Sequence, residues 1–414
     1  MSFRYRDGVL YAEGISLEAV ARRFGTPCFV YSRAAIEQNY RAFAQALAGR
    51  DALVCYSVKA NGNLAVLALM ARLGAGFDIV SGGELARVKA AGGDPRKVVF
   101  SGVGKSEPEI GAALRSKILC LNLESEAELE RVAAVAAHLR LRAPVAFRVN
   151  PDIDARTHPY ISTGLKSSKF GVPYAQAEQL YRAASRLRHV DVIGVGCHIG
   201  SQMLDPAPLA AAAGRIAALA GRLARAGIAL RHIDIGGGIG IRYRGERVAP
   251  VGRFVARCLR ALGDRREALI LDPGRAIVGN AGVLLARVEY LKRTGTKNFL
   301  VVDAAMNDLL RPALYGAWHE VLPARNKRGK AAVYDVVGPI CESADFLAQR
   351  RKLVAGQGDL LAVTSAGAYG MVQSSNYNSR PRAAEVMVDG ATAHLVRRRE
   401  RIENLYADES VPRW

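Results

Sequence analysis

Eight short runs of apolar and β-branched residues recur between residues 53 and 271, and this repetition constrains the fold more than any other feature of the sequence. Longer stretches with apolar residues at helical spacing separate most of the runs. Strands that alternate with helices eight times in a segment of this length fit a (β/α)8 barrel, which typically needs about 250 residues. The predicted strands are Leu53–Val58, Phe77–Val80, Val98–Ser101, Ile118–Asn122, Val145–Asn150, Val190–His198, His232–Ile235 and Leu269–Leu271. The clearest predicted helices are Leu64–Leu73, Glu84–Ala91, Glu124–Leu139 and Leu209–Ala226.

The two ends of the chain lack this alternation and contain short β-type runs instead. They predict a second domain, a β-sandwich or small β-barrel, to which both chain ends contribute. We therefore assign residues 36–279 to an α/β domain, the (β/α)8 barrel, and residues 1–35 together with 280–414 to the β domain. The 50% hydrophobic content is enough for two substantial cores. The β-type runs include Tyr5–Tyr11, Cys28–Tyr31, Val283–Tyr290, Phe299–Asp303, Ala332–Val337, Leu360–Thr364 and Ala384–Val388.

Polar or small residues stand at the ends of the predicted barrel strands. In a (β/α)8 barrel the loops that follow the strands gather on one face, and this face holds the active site. The sequence therefore predicts a polar site at the carboxyl ends of the strands. Its members in chain order are Lys59, Asp78, Ser81, Ser101, Asn122, Asn150, His198, Ser201, Gly236–Gly238 and Asp272–Arg275.

Lys59 follows the apolar run that ends at Val58, where its amine would be half desolvated. An amine in such a place can have a lowered pKa and form a Schiff base with an aldehyde cofactor. Most lysines that follow a strand are solvated surface residues. The hypothesis therefore depends on the polar residues that are predicted to surround Lys59.

The glycine-rich segment Gly236–Gly240 follows the seventh predicted strand. Glycines let backbone amides approach an anion closely, so the segment resembles a phosphate cradle. An ordinary tight turn is the alternative, and the glycine spacing of a dinucleotide-binding fingerprint is not present. The position after the seventh strand favours the cradle, because phosphate sites in barrels often form there.

Seven segments, spread over nearly the whole chain, carry a family resemblance: Tyr56–Asn61, Phe77–Leu85, Thr157–Gly164, Cys197–Gln202, Arg311–Tyr315, Gly338–Ser343 and Gly367–Gly370. Together and in this order they are similar to the diaminopimelate decarboxylase family, which belongs to the alanine-racemase-like, fold type III enzymes that use pyridoxal 5'-phosphate. The resemblance implies a carboxy-lyase of lysine biosynthesis. Its reaction would convert meso-2,6-diaminopimelate to L-lysine and carbon dioxide.

The resemblance also implies how the cofactor is held. Lys59 would form the Schiff base, and His198 would stack its flat ring on the pyridine; a core histidine is the alternative for His198. A carboxylate beside the pyridine nitrogen helps the ring to accept electrons, and Asp272 stands where the family has glutamate. The shorter side chain withdraws the carboxylate by roughly 1.5 Å, enough to stretch a hydrogen bond or admit a water. We therefore expect the electron-accepting function of the ring to be retained but weakened. The other implied cofactor-binding residues are Asp78, Ser201, Gly236, Gly237, Gly238, Gly274, Arg275 and Tyr369.

The implied proton donor to the α-carbon, once carbon dioxide has left, is Cys341. In the family the loop with Cys341 and Glu342 comes from the partner subunit, so the resemblance implies a homodimer with shared active sites. The other five cysteines show no paired metal-type spacing, and we interpret them as small buried hydrophobes. We therefore expect no metal site.

The implied substrate-binding residues combine cations with an anion. Arginine forks match carboxylates in two-point contacts, so an arginine pair favours diaminopimelate over ornithine or lysine, whose side chains end in an amine alone. Ordinary surface charge is the alternative for both arginines. The residues are Arg275, Arg311, Tyr315, Glu342 and Tyr369.

Two other functions stay open on the sequence. One is a related decarboxylase that acts on ornithine, lysine or another amino acid. The other is a cofactor-binding regulatory homologue with impaired catalysis; the presence of Lys59 and Cys341 argues against it, whereas Asp272 leaves room for it.

The net charge of +20 raises the question of a nucleic-acid partner. The basic runs, such as Asn326–Lys330 and Arg397–Arg401, are short and lack interleaved stacking aromatics. We therefore expect a solvated surface that attracts anions and no nucleic-acid function. The polar N-terminus, the lack of a long uncharged apolar stretch and the unpaired cysteines predict a cytoplasmic protein without a membrane partner.

Overall fold

The computed structural model describes residues 3–154 and 169–414. The segment Thr157–Gly164, which contributes to the family resemblance, lies outside the described residues. The chain divides into two compact units. The barrel unit consists of Asn39–Ile241 and Arg247–Ala276, and the terminal unit consists of Met1–Gln38, Arg242–Glu246 and Ile277–Trp414.

The N-terminal segment begins with a small antiparallel sheet of three strands, β1 to β3. The hydroxyl of Ser16 accepts a hydrogen bond from Ala19 N and so starts the first helix. The elements are β1 (Phe3–Arg6), β2 (Val9–Ala12), β3 (Ile15–Ser16), α1 (Leu17–Phe24), β4 (Cys28–Ser32) and α2 (Arg33–Ala46).

Eight parallel strands close into a barrel, as the sequence predicts. Their spatial order is β9-β11-β12-β13-β5-β6-β7-β8, and β8 pairs with β9 to complete the ring, while the short β10 pairs with β9 outside this ring. The strands are β5 (Ala52–Ser57), β6 (Gly76–Ile79), β7 (Val98–Phe100), β8 (Cys120–Leu123), β9 (Ala143–Asn150), β10 (Val172–Pro173), β11 (Val190–Gly196), β12 (His232–Asp234) and β13 (Ala268–Leu271).

The first four helices between these strands begin at polar caps. The predicted helix at Glu84 begins two residues earlier, at Gly82, because the hydroxyl of Ser81 accepts a hydrogen bond from Glu84 N. Ser125 caps the helix that begins at Glu126 in the same way. The helices are α3 (Leu64–Arg72), α4 (Gly82–Ala90), α5 (Glu107–Arg115), α6 (Glu126–His138), α7 (Tyr174–Ser185), α8 (Ala207–Arg225), α9 (Val251–Leu262) and α10 (Arg275–Val278).

Small side chains fill the middle of the barrel. Cys55, Val99 and Ile270 pack together from β5, β7 and β13, and a second cluster joins Cys120 to Ala146 and Ile193. Such layers, built by side chains from different strands, make a barrel a packed core rather than a pore. The five cysteines interpreted as core residues are all buried: Cys28, Cys55, Cys120, Cys197 and Cys258.

The terminal unit contains a mixed sheet of nine strands. Its main path is β18-β17-β15-β14-β4-β20-β21, and β19 joins β14 to β16. The long strand β14 is the hub, because it pairs with β4, β15 and β19. The elements are β14 (Gly282–Arg293), β15 (Asn298–Val302), α11 (Arg311–Tyr315), β16 (Val321–Pro323), β17 (Ala332–Val337), β18 (Phe346–Leu353), β19 (Leu360–Val363), β20 (Ala384–Asp389) and β21 (Thr392–Arg397).

Apolar side chains from both ends of the chain form the core of the terminal unit; examples are Leu10, Val30, Leu285 and Val386. Short 3₁₀ turns lie at Val58–Ala60, Pro95–Lys97, Gly279–Ala281, Met371–Gln373, Tyr377–Ser379 and Ile402–Leu405. In the part of the chain that the structure describes, no helix combines the length and the apolar character needed to cross a bilayer.

Candidate active site

Lys59 lies in the 3₁₀ turn that follows β5, next to a buried carboxylate. Its Nζ atom is 2.8 Å from Oδ2 of Asp78, which lies in β6; the Lys59 side chain is 33% exposed and the Asp78 side chain 1%. Burial alone would raise the pKa of Asp78, but the positive charge and hydrogen bond of Lys59 hold this pKa below its usual value. The amine is therefore anchored by an ionised partner and still reachable from solvent.

A pocket opens beside this pair at the carboxyl ends of the barrel strands. Seven of the eight strands contribute a lining residue from their last positions or from the residues that follow. This is the face on which a (β/α)8 barrel carries its active site. The lining residues are Lys59, Ser101, Asn122, Arg148, Gly196, Cys197, His198, Asp234 and Asp272.

His198 is held as a neutral ring in this pocket. Burial and, after it, the positive charges of Arg148 and Lys59 together lower its pKa to about 3. Its Nδ1 atom is 3.5 Å from Oδ1 of Asp272, which is longer than a normal hydrogen bond. A neutral, flat imidazole is suited to lie against an aromatic ligand.

Asp272, which follows β13, is a buried carboxyl group that holds its proton more tightly than usual. Burial raises its pKa to about 8, and the negative charge of Asp78 contributes, while Lys59 and Arg148 act in the opposite direction. Among the described residues, no hydrogen-bond donor serves Oδ1 of Asp272. This oxygen is therefore able to accept a hydrogen bond from a ligand.

Asp234, at the end of β12, is a second buried acid beside Asp272. Its pKa is raised well above the usual value, first by burial and then by the charge of Asp272. One oxygen accepts a hydrogen bond from Gly236 N at 2.8 Å, and the other lies 3.4 Å from Nδ2 of Asn122. Asp234 thus fixes the start of the glycine turn.

The turn Gly236–Gly238 follows β12, the seventh strand of the ring, as predicted. Gly236 and Gly238 have φ angles of 76° and 75°, a region that favours glycine. A Cβ atom at Gly237 would lie 2.4 Å from Asp272 O, and one at Gly238 would lie 2.3 Å from Gly200 O. Side chains are therefore excluded here, and the backbone can approach a ligand closely.

Arg275 and Ser201 meet on the same face. Nη2 of Arg275 donates a hydrogen bond to Oγ of Ser201 at 3.2 Å, and Arg275 is buried. The loop before Arg275 passes close to the Lys59 turn, because a Cβ atom at Gly274 would lie 2.8 Å from Cβ of Ala60. The barrel unit thus holds all ten of its predicted site residues at the carboxyl ends of the strands: Lys59, Asp78, His198, Ser201, Gly236, Gly237, Gly238, Asp272, Gly274 and Arg275.

The terminal unit carries the remaining predicted residues. Arg311 and Tyr315 lie at the two ends of α11, and Tyr369 is half-buried with a φ angle of 54°. Cys341 and Glu342 are exposed on a loop, and a hydrogen bond with Glu342 raises the pKa of Tyr377.

Two side chains fix the backbone of the loop that carries Cys341. Oδ2 of the buried Asp345 accepts a hydrogen bond from Ile340 N at 2.7 Å. Oδ1 of Asn378 accepts one from Cys341 N at 2.9 Å. The thiol therefore projects from a defined backbone.

Comparison with known proteins agrees with this geometry. Residues 33–279 match the family model of the pyridoxal binding domain of pyridoxal-dependent decarboxylases. The diaminopimelate decarboxylase of Pseudomonas aeruginosa is 58% identical over 410 residues, which cover 99% of both chains. That of Vibrio cholerae is 54% identical over 411 residues, again 99% of both chains. The chain belongs to the diaminopimelate decarboxylase family.

A solved structure of the diaminopimelate decarboxylase family has the same fold. The Helicobacter pylori diaminopimelate decarboxylase, complexed with L-lysine, superposes with a TM-score of 0.92 at 41% identity and covers 95% of this chain and 99% of its own. The barrel of this chain is thus the pyridoxal-binding domain of a fold type III decarboxylase.

The pocket of this diaminopimelate decarboxylase family member fits pyridoxal phosphate. Lys59 offers an amine for the aldehyde, and the free acceptor on Asp272 suits a protonated ring nitrogen. The backbone amides of the glycine turn and the hydroxyl of Ser201 offer donors for a phosphate.

The sequence analysis misses three polar residues at the site: Arg148, Glu124 and Asp234. Arg148 lies inside β9, where Nη1 is 3.2 Å from Oε1 of Glu124 and Nη2 donates to His198 O at 3.1 Å. Asp234 is the third. Two signals could have identified Arg148 and Asp234: an arginine inside the apolar run Val145–Asn150, and an aspartate near the end of a strand, as Asp78 is.

Proposed function

We propose that this protein decarboxylates meso-2,6-diaminopimelate to L-lysine and carbon dioxide with pyridoxal phosphate as cofactor. The observation that carries the proposal is the amine of Lys59, anchored 2.8 Å from the buried Asp78 at the carboxyl ends of the barrel strands. When bound, the cofactor accepts the electrons that remain on the α-carbon after carbon dioxide leaves.

The residues of the barrel unit would bind and orient the cofactor. Lys59 and Asp78 would hold its aldehyde end, and the neutral ring of His198 would lie against the pyridine. Asp272 would accept the hydrogen bond of the ring nitrogen. Phosphate binding would fall to the glycine turn and Ser201, with Gly274 and Arg275 beside them, and to Tyr369 of the terminal unit.

Residues of the terminal unit, together with Arg275 of the barrel unit, would select the substrate, and Cys341 of the terminal unit would return the proton. The arginine forks of Arg275 and Arg311 suit the distal carboxylate, and the carboxylate of Glu342 suits the distal amine. Tyr315 and Tyr369 offer hydroxyl groups. Cys341 would donate the proton to the α-carbon as a general acid.

The direct test is a substrate panel with the cofactor-loaded protein. We expect L-lysine to form from meso-diaminopimelate, with L-lysine and L-ornithine turned over at least about 100-fold more slowly, because an unpaired buried guanidinium costs binding energy. Product would be measured by amine chromatography and by release of carbon dioxide. Turnover of ornithine without turnover of diaminopimelate would contradict the proposal and favour a related decarboxylase.

The short carboxylate at position 272 leads to a quantitative prediction. Asp272→Asn keeps the size but replaces the carboxyl group with an amide that cannot become negatively charged beside the ring nitrogen, and we expect kcat to fall about 100-fold, the effect of one lost charge-assisted hydrogen bond. Asp272→Glu lengthens the side chain, and we expect kcat to rise a few-fold because the direct hydrogen bond shortens. Equal rates for the native chain and Asp272→Glu would show that the shorter side chain has no effect.

We also propose a homodimer in which the loop Gly338–Ser343 completes the site of the partner subunit. The exposure of Cys341 and Glu342 in the single chain supports this arrangement. Mixing inactive Lys59→Ala and Cys341→Ala chains should restore about one quarter of native activity, because half of the dimers are hybrids and each hybrid has one intact site. An active monomer in sedimentation, or no recovery on mixing, would contradict the proposal.

A cytoplasmic location is proposed as well. All six cysteines lie within the described residues and are free thiols. Unpaired cysteines are typical of a reducing compartment.

A further inference from the structure

Arg311 is held by a set of aromatic and polar contacts within the terminal unit. It is the first residue of α11 and is 6% exposed. Its Nη1 atom is 2.8 Å from Nε2 of His319, a fully buried residue. Its guanidinium carbon lies 4.8 Å from the ring centroid of Tyr243, within the range of a cation–π contact.

The two hydrogen bonds of the His319 ring define its protonation. A guanidinium has donors and no acceptor, so Nε2 of His319 must accept from Arg311. Nδ1 of His319 is 2.7 Å from Thr364 O, and a carbonyl only accepts, so Nδ1 must carry the hydrogen. The neutral Nδ1–H tautomer satisfies both contacts, whereas a protonated ring would direct an N–H group at Arg311.

The surroundings keep the imidazole in place. The ring of Tyr243 packs edge-on against that of His319, with centroids 5.4 Å apart. The carbonyl oxygen of His319 accepts a hydrogen bond from Nη2 of the buried Arg351 at 2.9 Å. The carboxylate of Glu246 accepts hydrogen bonds from Tyr243 N and Arg244 N, which fixes the turn that presents Tyr243.

We propose that His319 is a positioning residue for substrate recognition: through its Nδ1–H tautomer it orients the guanidinium of Arg311 toward the distal carboxylate of the substrate, and Tyr243 holds the guanidinium plane. This inference rests on the proposed function, in which Arg311 binds that carboxylate. Arginine binds a carboxylate best with two parallel hydrogen bonds, so the orientation of its plane governs affinity.

Two substitutions distinguish the acceptor nitrogen of the imidazole from its donor nitrogen. His319→Asn can keep the donor to Thr364 O but lacks an acceptor for Arg311. His319→Gln can keep an acceptor near the Nε2 position but lacks the donor. We expect His319→Asn to raise KM for meso-diaminopimelate roughly ten- to a hundredfold with kcat changed less than about threefold, the loss of one hydrogen bond to a charged group.

The same proposal predicts rescue by glutamine. We expect KM of His319→Gln to lie within about threefold of the native value, because the acceptor for Arg311 is retained. Equal effects of the two substitutions, or a native KM for His319→Asn, would overturn the proposal, since a merely structural histidine would not distinguish the acceptor from the donor.

A measurement on the native protein tests the tautomer without any catalytic assay. Histidine-selective ¹⁵N labelling should show one imidazole ring that carries its proton on Nδ1. The signals of this ring should be absent from the spectrum of His319→Asn. A ring protonated on Nε2 would overturn the proposal. This spectrum is independent of the substrate, so failure of diaminopimelate turnover would refute the proposed function, whereas the wrong tautomer would refute the role of His319.

Discussion

Lys59→Ala is expected to lower kcat/KM for meso-diaminopimelate by about 10⁴-fold or more, because it removes the amine that captures the cofactor aldehyde. In the native protein, borohydride reduction followed by peptide mapping should place the cofactor on Lys59. The structure gives the reason: the amine is anchored on Asp78 and a third of its side chain remains open to the pocket. The substituted protein should lose both the covalent label and the visible absorbance of the bound cofactor.

Lys89→Ala is the matched control, because Lys89 is an exposed lysine on α4 in the same barrel unit. Its activity and its labelling should equal those of the native chain. A reduced label found on any lysine other than Lys59 would contradict the assignment of the cofactor site.

The second large effect is expected for Cys341→Ala. Removing a positioned general acid typically costs between about 10² and 10⁴ in rate. The cofactor should still bind with native absorbance, since Cys341 is not among the residues proposed to hold it, and L-lysine formation should collapse. The combination of an intact spectrum and lost product distinguishes a proton donor from a residue needed for folding.

Cys258→Ala provides the control for the loss of a thiol, because Cys258 is buried in α9. It should affect the free energy of unfolding more than kcat. Unchanged turnover in Cys341→Ala would rule out the catalytic role of this cysteine.

The barrel could be predicted because its strands are continuous apolar runs, which parallel strands buried on both faces require. The boundaries of an element are harder to predict from the sequence where a single side chain decides them, as at Ser81, whose hydroxyl starts α4. The run Tyr5–Tyr11 forms two strands rather than one, because Asp7 and Gly8 adopt positive φ angles of 48° and 75° and reverse the chain.

The missed strand β18 shows a further limit. Its segment Phe346–Leu353 contains Gln349, Arg350, Arg351 and Lys352, so hydrophobicity does not mark it. Both arginines have roles in local structure: the backbone N–H of Arg350 donates a hydrogen bond to Asp335, and the side chain of Arg351 donates one to His319 O. Pairing with β17 overrides the local composition.

The candidate site could be predicted where a single polar residue interrupts or follows an apolar run of the sequence, as with Lys59, Asp78 and Asp272. It could not be predicted where polar residues satisfy one another inside the fold. Arg148 depends on Glu124, which is 24 positions away in the chain, and Arg311 depends on His319 and Tyr243. Such pairs become recognisable only when the distances between side chains are known.

The distribution of the cysteines has a practical consequence. Five of the six are buried, and burial raises the pKa of their thiols, whereas Cys341 is exposed. Thiol reagents attack the accessible thiolate. The chain therefore carries an attachment point for a fluorophore or spin label on the loop with Cys341, so that the proposed pairing of two chains at this loop could be followed without first replacing the other cysteines.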